Sequence, residues 1–473
     1  MRQELARAYL IKGALTNAQE QLTLLSQKFP RNSYAFLGLG FLSLAKGFDN
    51  FAVEYFLKAQ KNDPGDPRAT LGLAGLYGFR GDFEKARQEY QSRLDRMPLD
   101  RGARLGLGQI YAHQGLFQKA TAEFEQALVS FPQDTSCRLA LAMTLLESDE
   151  MERAEKEIKR VLRQNPDDLS GRLLLGDLLQ RTARAEEARQ TYEKIYTQDR
   201  RYLWVGLRLA FWHGRRGAWG QAQALLDQIA QNLPTPETAM PLTFASFEEL
   251  QDVLEIKENI RQLHLTFALT QAEVHLLKTL YVDAERNVQE ALSRSPLNLQ
   301  ALRLMVRIKR IRALPLESAR WAQKAANAYP QHPLLLLDRA ELAMTLHHPE
   351  EALTFAKGAV TACPTLAAGP AMLARIYLIQ AELDEAHLAA KKAISLNPLD
   401  PEALFSWGLV ERAQGHPEAT REVFLRSLQL DPFQARIHQA LGRLALAQKQ
   451  ARQAREHFQR AAELEPFLYS SPQ

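Results

Sequence analysis

The side chains able to do chemistry in this 473-residue chain are few and do not converge. His264 and His275 are eleven apart, with Glu273 between them, close to one face of a helix. Two imidazoles and a carboxylate so placed could hold a zinc ion, but the HExxH spacing that brings such ligands together is absent. His347-His348-Pro349 falls at a turn between helical stretches, where solvated histidines are the default. Cys137 and Cys363 would need a neighbouring base to act as nucleophiles, and both stand where small residues pack. The chain has no GxxxxGK[ST] phosphate loop, no GxSxG elbow and no dinucleotide fingerprint. The expectation is a protein that is not an enzyme, with no catalytic, cofactor or metal site and no small-molecule substrate.

Composition narrows the class further. Lysine and arginine number 59 against 55 acidic residues, a net charge of +4, with 46% hydrophobic and 24% charged residues. Those values belong to folded rather than disordered chains and exclude a strongly basic, non-specific polyanion binder. No apolar run approaches the roughly 18 to 20 residues that span a bilayer, so an integral membrane protein is not expected, while peripheral association stays open. Two cysteines exclude a disulfide framework.

What must position any functional surface is a repeat. Prolines recur at Pro30, Pro64, Pro98, Pro132 and Pro166, each 34 residues on, then at Pro234; a second series runs Pro296, Pro330, Pro364, Pro398, Pro432 and Pro466. A fixed period of this size marks stacked supersecondary units. Twelve residues before each closing position stands an alanine, from Ala18, Ala52 and Ala86 through Ala454, with Ser318 and Thr420 departing. Four residues later a larger side chain follows, as at Phe56, Tyr90, Phe124, Ile158 and Tyr192, on the same helical face. Upstream, a Leu-Gly or Leu-Ala step recurs, as at Leu39-Gly40, Leu107-Gly108, Leu175-Gly176 and Leu441-Gly442. Gly13, Gly47, Gly81, Gly115, Gly217 and Gly415 separate two helical stretches, where glycine tolerates the left-handed conformation. Proline then stops the second helix.

Arg104, Leu107-Gly108 and Tyr111, followed by Ala120, Phe124, Ala127 and Pro132, resemble the signature of the tetratricopeptide repeat. The resemblance covers seven repeats closing at Pro30 through Pro234 and six closing at Pro296 through Pro466. It implies an all-α, right-handed solenoid of about thirteen helix pairs. The two repeats closing at Pro296 and Pro330 depart most, with Thr279 and Ala313 in the glycine place. The division expected is residues 1–234 as seven repeats, 235–262 as an acidic insertion or degenerate repeat, and 263–473 as six repeats.

By that resemblance the first helix of each pair lines a concave face, and its residues outside the packing seam are candidate partner contacts. In the first array these include Tyr34, Leu37, Phe41, Trp204 and Phe211; in the second, Arg303, Arg307, Arg310, Arg375, Arg412, Arg436 and Arg443. Apolar residues at helical spacing usually mean core, and arginines usually a solvated face with ion pairs between repeats. The functional readings are a groove for an apolar or amphipathic segment and a site for an acidic peptide. Some family members clamp a terminal carboxylate with asparagine and lysine; no asparagine occupies the matching places here.

Residues 235–262 hold six acidic residues against Lys257 and Arg261. Ser246-Phe247-Glu248-Glu249 has the spacing of a capping box that opens a helix. The insertion reads as a solvated spacer, or as a lid over the arginine-lined helices. The function expected is a non-enzymatic scaffold for protein or peptide segments. An alternative is the repeat arm of a larger assembly or secretion machine, as in polysaccharide export, pilus assembly or glycosyltransferase regulation. RNA binding along the arginine stripe is a third reading, disfavoured by the low net charge. The compartment stays open, with cytoplasmic favoured as given and periplasmic or envelope-associated if the true N-terminus lies upstream.

Overall fold

A computed structural model describes residues 2–12, 14–234 and 247–466, with side chains described except at Ile11 and residues 247–258. Among the described residues there are 26 helices and no strands, packed in consecutive antiparallel pairs. The chain is an α-solenoid of about thirteen repeats. By contact density it separates into two compact units, one of Met1–Tyr111, Ala122–Cys137 and Leu233–His264, the other of Ala112–Thr121, Arg138–Asn232 and Leu265–Gln473.

The two sequence marks of each repeat, the Leu-Gly step and the large residue after the alanine, meet in space. A Cβ added at Gly108 would lie 2.4 Å from the ring of Phe124; at Gly40, 2.6 Å from Phe56; at Gly176, 2.2 Å from Tyr192; at Gly408, 2.3 Å from Phe424; and at Gly442, 2.7 Å from Phe458. Each glycine thus opens the slot that the aromatic ring sixteen residues later fills. Where the first position is alanine, the residue sixteen later is mostly smaller: Ala142 faces Ile158 in the register, Ala210 Leu226, Ala340 Ala356 and Ala374 Ala390. Val306 is matched by Ala322 in one core cluster. Tyr90, paired in register with Ala74, leans instead onto Gly106 of the next repeat, where a Cβ would be 2.3 Å away. A large ring is thus matched by the absence of a side chain opposite it, and a larger first residue by a smaller second one, as close packing requires. Gly408→Val should therefore destabilise by about 1 to 3 kcal/mol through overpacking. Adding Phe424→Ala recreates the Val306 and Ala322 pairing, and a urea double-mutant cycle should show the two changes compensating rather than adding.

The alanines twelve before the closing position are fully buried at Ala18, Ala52, Ala86, Ala120, Ala154, Ala188 and Ala222. Ser318 and Thr420, which depart from alanine, are also fully buried, and their hydroxyls donate to the Val306 and His416 carbonyls at 2.9 and 2.8 Å. A small polar residue is tolerated there because its donor is satisfied.

Between paired helices the backbone turns left-handed at Gly47, Gly81, Gly115, Gly217 and Gly415; Gly13 lies outside the described residues. Asp149, Ala183, Thr279, Ala313, His347, Ala381 and Lys449 adopt the same conformation without being glycine. The two repeats with Thr279 and Ala313 therefore turn like the others, because the repeat geometry imposes the turn at a local cost. Thr279 is β-branched and sits at φ 60°. Thr279→Gly should raise stability by about 1 kcal/mol, read as a higher Tm.

The second helices end two residues before the proline, with the intervening residue out of the helical region, as at Phe29 and Met97, and extended at Asn397. Asp199, which precedes Arg200 instead of proline, is extended too. Two residues past the closing position, Asn32, Asp100, Asp134, Asp168, Asn298 and Asp400 accept from a backbone N–H three residues on, at 2.7 to 3.1 Å. These caps satisfy N–H groups that the helix itself leaves unpaired.

Helix Phe247–Leu277 is 31 residues long and continues unbroken from the acidic stretch into the first helix of the next repeat. Ser246 and the acidic side chains of the stretch lie outside the described residues. Within the first unit Arg261 stacks 3.1 Å from the centroid of Phe79 and donates to the Phe79 carbonyl at 3.1 Å. Ile260 and Leu263 beside it are buried.

Candidate protein-interaction surface

In the second unit the first helices Leu299–Ile311, Pro333–Thr345, Ala368–Ile379, Pro401–Ala413 and Ala435–Ala447 carry the arginines. Arg375 lies 2.7 Å and Arg436 3.5 Å from Glu341, and Arg310 lies 3.8 Å from it, so three guanidinium groups converge on one carboxylate. Arg436 also pairs with Glu402, which Arg375 approaches at 3.6 Å. Arg303 bridges to Asp338 at 2.5 Å. Burial pushes the Glu341 pKa up, but Arg375, Arg436 and Arg310 outweigh it and hold the carboxyl far below the usual carboxylate range. The Phe405 ring supports the cluster, with Arg436 and Arg375 5.0 and 5.6 Å from its centroid.

Arg307, Arg412 and Arg443 are exposed and make no ion pair among the described residues. Glu273 acts on Arg307 from beyond contact distance; burial raises its own pKa against Arg307, Arg208, Arg215 and Arg303. Burial lowers the Arg412 pKa, and the like charge of Arg443 adds to the shift. The stripe therefore has two parts, a hub in which Arg310, Arg375 and Arg436 share Glu341 and Glu402, and three cations without an ion pair among the described residues.

The apolar candidates divide by burial. Leu37 and Phe41 are 0 and 2% exposed, and Phe41 meets Phe56 edge-on at 5.0 Å. Both belong to the core, because glycine and alanine on neighbouring helices bring the backbones close enough to enclose them. Tyr34, Trp204 and Phe211 are half-buried. Burial pushes the Tyr34 phenol up to about 12. Arg215 lies 5.8 Å from the Phe211 centroid.

The groups that suggested chemistry are spent locally. His264 donates Nε2–H to the Pro234 carbonyl at 2.8 Å, and His275 Nδ1 accepts from the Asn287 amide at 3.0 Å. Cys137 and Cys363 are buried, and burial pushes the Cys137 thiol up to about 12, away from the thiolate a nucleophile needs. Among the described residues no three His, Cys, Asp or Glu side chains are placed to hold a metal ion. No helix of the described residues is long and apolar enough to cross a membrane.

Helix pairs stacked through small-residue seams, with charged side chains displayed on the first helices, define a repeat solenoid of the protein-binding kind. Family models described as tetratricopeptide repeat match residues 111–178, 71–135, 371–435 and 435–467, and the chain is a tetratricopeptide-repeat protein. Comparison with curated proteins gave no match. Among solved structures, the APC/C hetero-tetramer Cut9-Hcn1 is similar at 14% identity over 98% of this chain and 93% of that one, with a TM-score of 0.46. A tetratricopeptide repeat protein from Parabacteroides merdae ATCC 43184 is similar at 14% identity over 57% of this chain and 98% of that one, with a TM-score of 0.43.

Proposed function

We propose that this chain is a non-catalytic scaffold that binds protein segments, and that the arginine face of residues 299–447 receives an acidic one. The observation that carries the reading is the set of exposed, unpaired cations Arg307, Arg412 and Arg443 on the same run of first helices as a hub whose arginines are already paired with carboxylates. A carboxylate-bearing segment gains charge-assisted hydrogen bonds from the open guanidinium groups without breaking the pairs at Glu341 and Asp338. Tyr34, Trp204 and Phe211 remain the apolar candidates in the same reading, each with part of its ring accessible.

The test is fluorescence anisotropy with a labelled decapeptide of glutamates. The parent should bind with an affinity that falls as salt is raised, and the triple change Arg307→Glu, Arg412→Glu and Arg443→Glu should weaken it at least tenfold. Equal binding by parent and triple variant, or none by the parent, would overturn the reading.

A further inference from the structure

A cleft of about 490 Å³ lies in the second unit, where two inter-helix turns meet the last repeat. Its walls are the turn Arg216–Trp219, the turn Leu277–Thr279, the Pro432-Phe433 step and the helix end that carries Arg460, Glu463 and Leu464. The volume is within the range of ligand sites.

The repeat does not explain what lines it. Trp219 occupies the turn place where Phe83 and Phe117 are buried at 8 and 2% exposure, yet Trp219 is only half-buried. Phe433 follows its proline where Leu99, Leu297 and Leu399 stand in three other repeats and Gly65, Gln133, Asp167 and Thr365 in four more, so an aromatic ring there adds surface that the repeat does not require. The two rings meet edge-to-face, 5.8 Å between centroids. Lys278 Nζ lies 5.9 Å from the Trp219 centroid, and the Arg460 guanidinium 5.8 Å from that of Phe433. These contacts hold both cations against apolar walls, so they are pre-positioned for a ligand. Arg460 pairs with Glu463 at 3.0 Å, whereas Arg216 and Lys278 have no ion-pair partner among the described residues. Three cations therefore line the cleft against one carboxylate, the Arg216 guanidinium being held 5.5 Å from the centroid of Trp212 outside it. The left-handed Thr279 in the same wall is one of the strained backbone positions that concentrate at binding sites.

We propose that this cleft is a second binding site, which takes a short acidic segment carrying a bulky apolar side chain. Carboxylates of the segment meet Arg216 and Lys278, and the apolar side chain packs among Trp219, Phe433 and Leu277. The mixed lining decides the class. A purely apolar helix would leave the cations desolvated and unpaired, at a penalty that apolar contact does not offset. A purely acidic chain would leave the aromatic walls unused. Since the cleft shares no residue with the arginine face, either site can fail without the other.

The test uses the full chain and a labelled octapeptide of six aspartates and two phenylalanines. The parent should bind it with a change in tryptophan emission that Trp219→Phe abolishes. Lys278→Glu and Arg216→Glu should each weaken binding at least tenfold, and Lys278→Gln and Phe433→Ala at least threefold, with unchanged circular-dichroism melts. Arg307→Glu with Arg443→Glu should leave the Trp219 signal as in the parent. Replacing the aspartates by asparagine, or the phenylalanines by alanine, should abolish binding. Equal affinity for either control peptide, no response from Trp219, insensitivity to both changes at Lys278, or a Trp219 response to ADP without one to the peptide would each overturn the proposal.

Discussion

Glu341→Ala should destabilise the second unit by about 3 kcal/mol, the lower end of what removing one partner from a buried ion pair costs. The carboxylate is 17% exposed and stands among Arg375, Arg310 and Arg436, which are 10, 18 and 29% exposed. Without it, three guanidinium groups on alternate first helices repel one another from partly desolvated positions. The loss stays near the lower end because Glu402 still reaches Arg436 and Arg375. Urea denaturation should show the loss, high salt should reduce it, and Arg375→Met in the same chain should restore part of it. The variant also tests function. Glu341 competes internally for the cations an acidic segment would meet, so the glutamate decapeptide should bind Glu341→Ala more tightly than the parent. Unchanged stability together with unchanged affinity would show that the cluster is an ordinary solvated face.

The second large effect is acid sensitivity at His332. This histidine is 3% exposed and stands at the first-helix cap place where Asn32 and Asn298 accept a backbone hydrogen bond. It makes no such bond, and its Nδ1 has no partner among the described residues. Its ring is wedged against Gly115, Phe117 and Tyr329. Burial, then the charges of Arg303 and His113, push its pKa down to about 3 from an ordinary 6.5. The unfolded chain therefore binds this proton more readily than the folded one between those values. The folded state loses stability as pH falls through 6.5 toward 3, by roughly 3 kcal/mol at pH 4. Burial also pushes Asp400 up to about 7, which works in the opposite direction over the same range. The parent curve alone is thus uninformative, and the comparison is with His332→Asn. That change places an N-cap acceptor in register and removes the titrating ring. The stability difference between the two proteins should shift in favour of His332→Asn steadily from pH 7 to pH 4. A difference constant with pH would mean His332 titrates normally in the folded state.

The helix pairs were legible because most repeats state most of the same local rules. Alanine, a large residue four later, glycine at the turn and proline at the close are each short-range demands of helix packing or termination. Thirteen statements in register overcome the weakness of any one. The caps from Asn32 to Asp400 were also visible as Asn or Asp two residues past the closing position, a signal the proline spacing hid. The candidate surface was less legible. Leu37, Phe41 and Tyr34 share a stretch of helix and an apolar character, yet the first two are core and the third is half open. Arg307 and Arg310 are three residues apart and alike in type, yet one is open and the other turns toward Glu341.

By itself the sequence determined the solenoid, its period and where each helix stops, because those depend on contacts within about one repeat. It carried the pairing of glycine with an aromatic ring too, since Gly408 and Phe424 lie within a single helix pair. Only the tertiary structure decided which arginines are neutralised. Glu341 meets Arg375 one repeat away, across 34 residues, but also Arg436 across 95, a contact no local pattern encodes. Only it brought Trp219 to Phe433, where side chains far apart in sequence form one cleft. The surfaces proposed for binding draw on those non-local contacts, because the periodic positions are already committed to holding one repeat against the next.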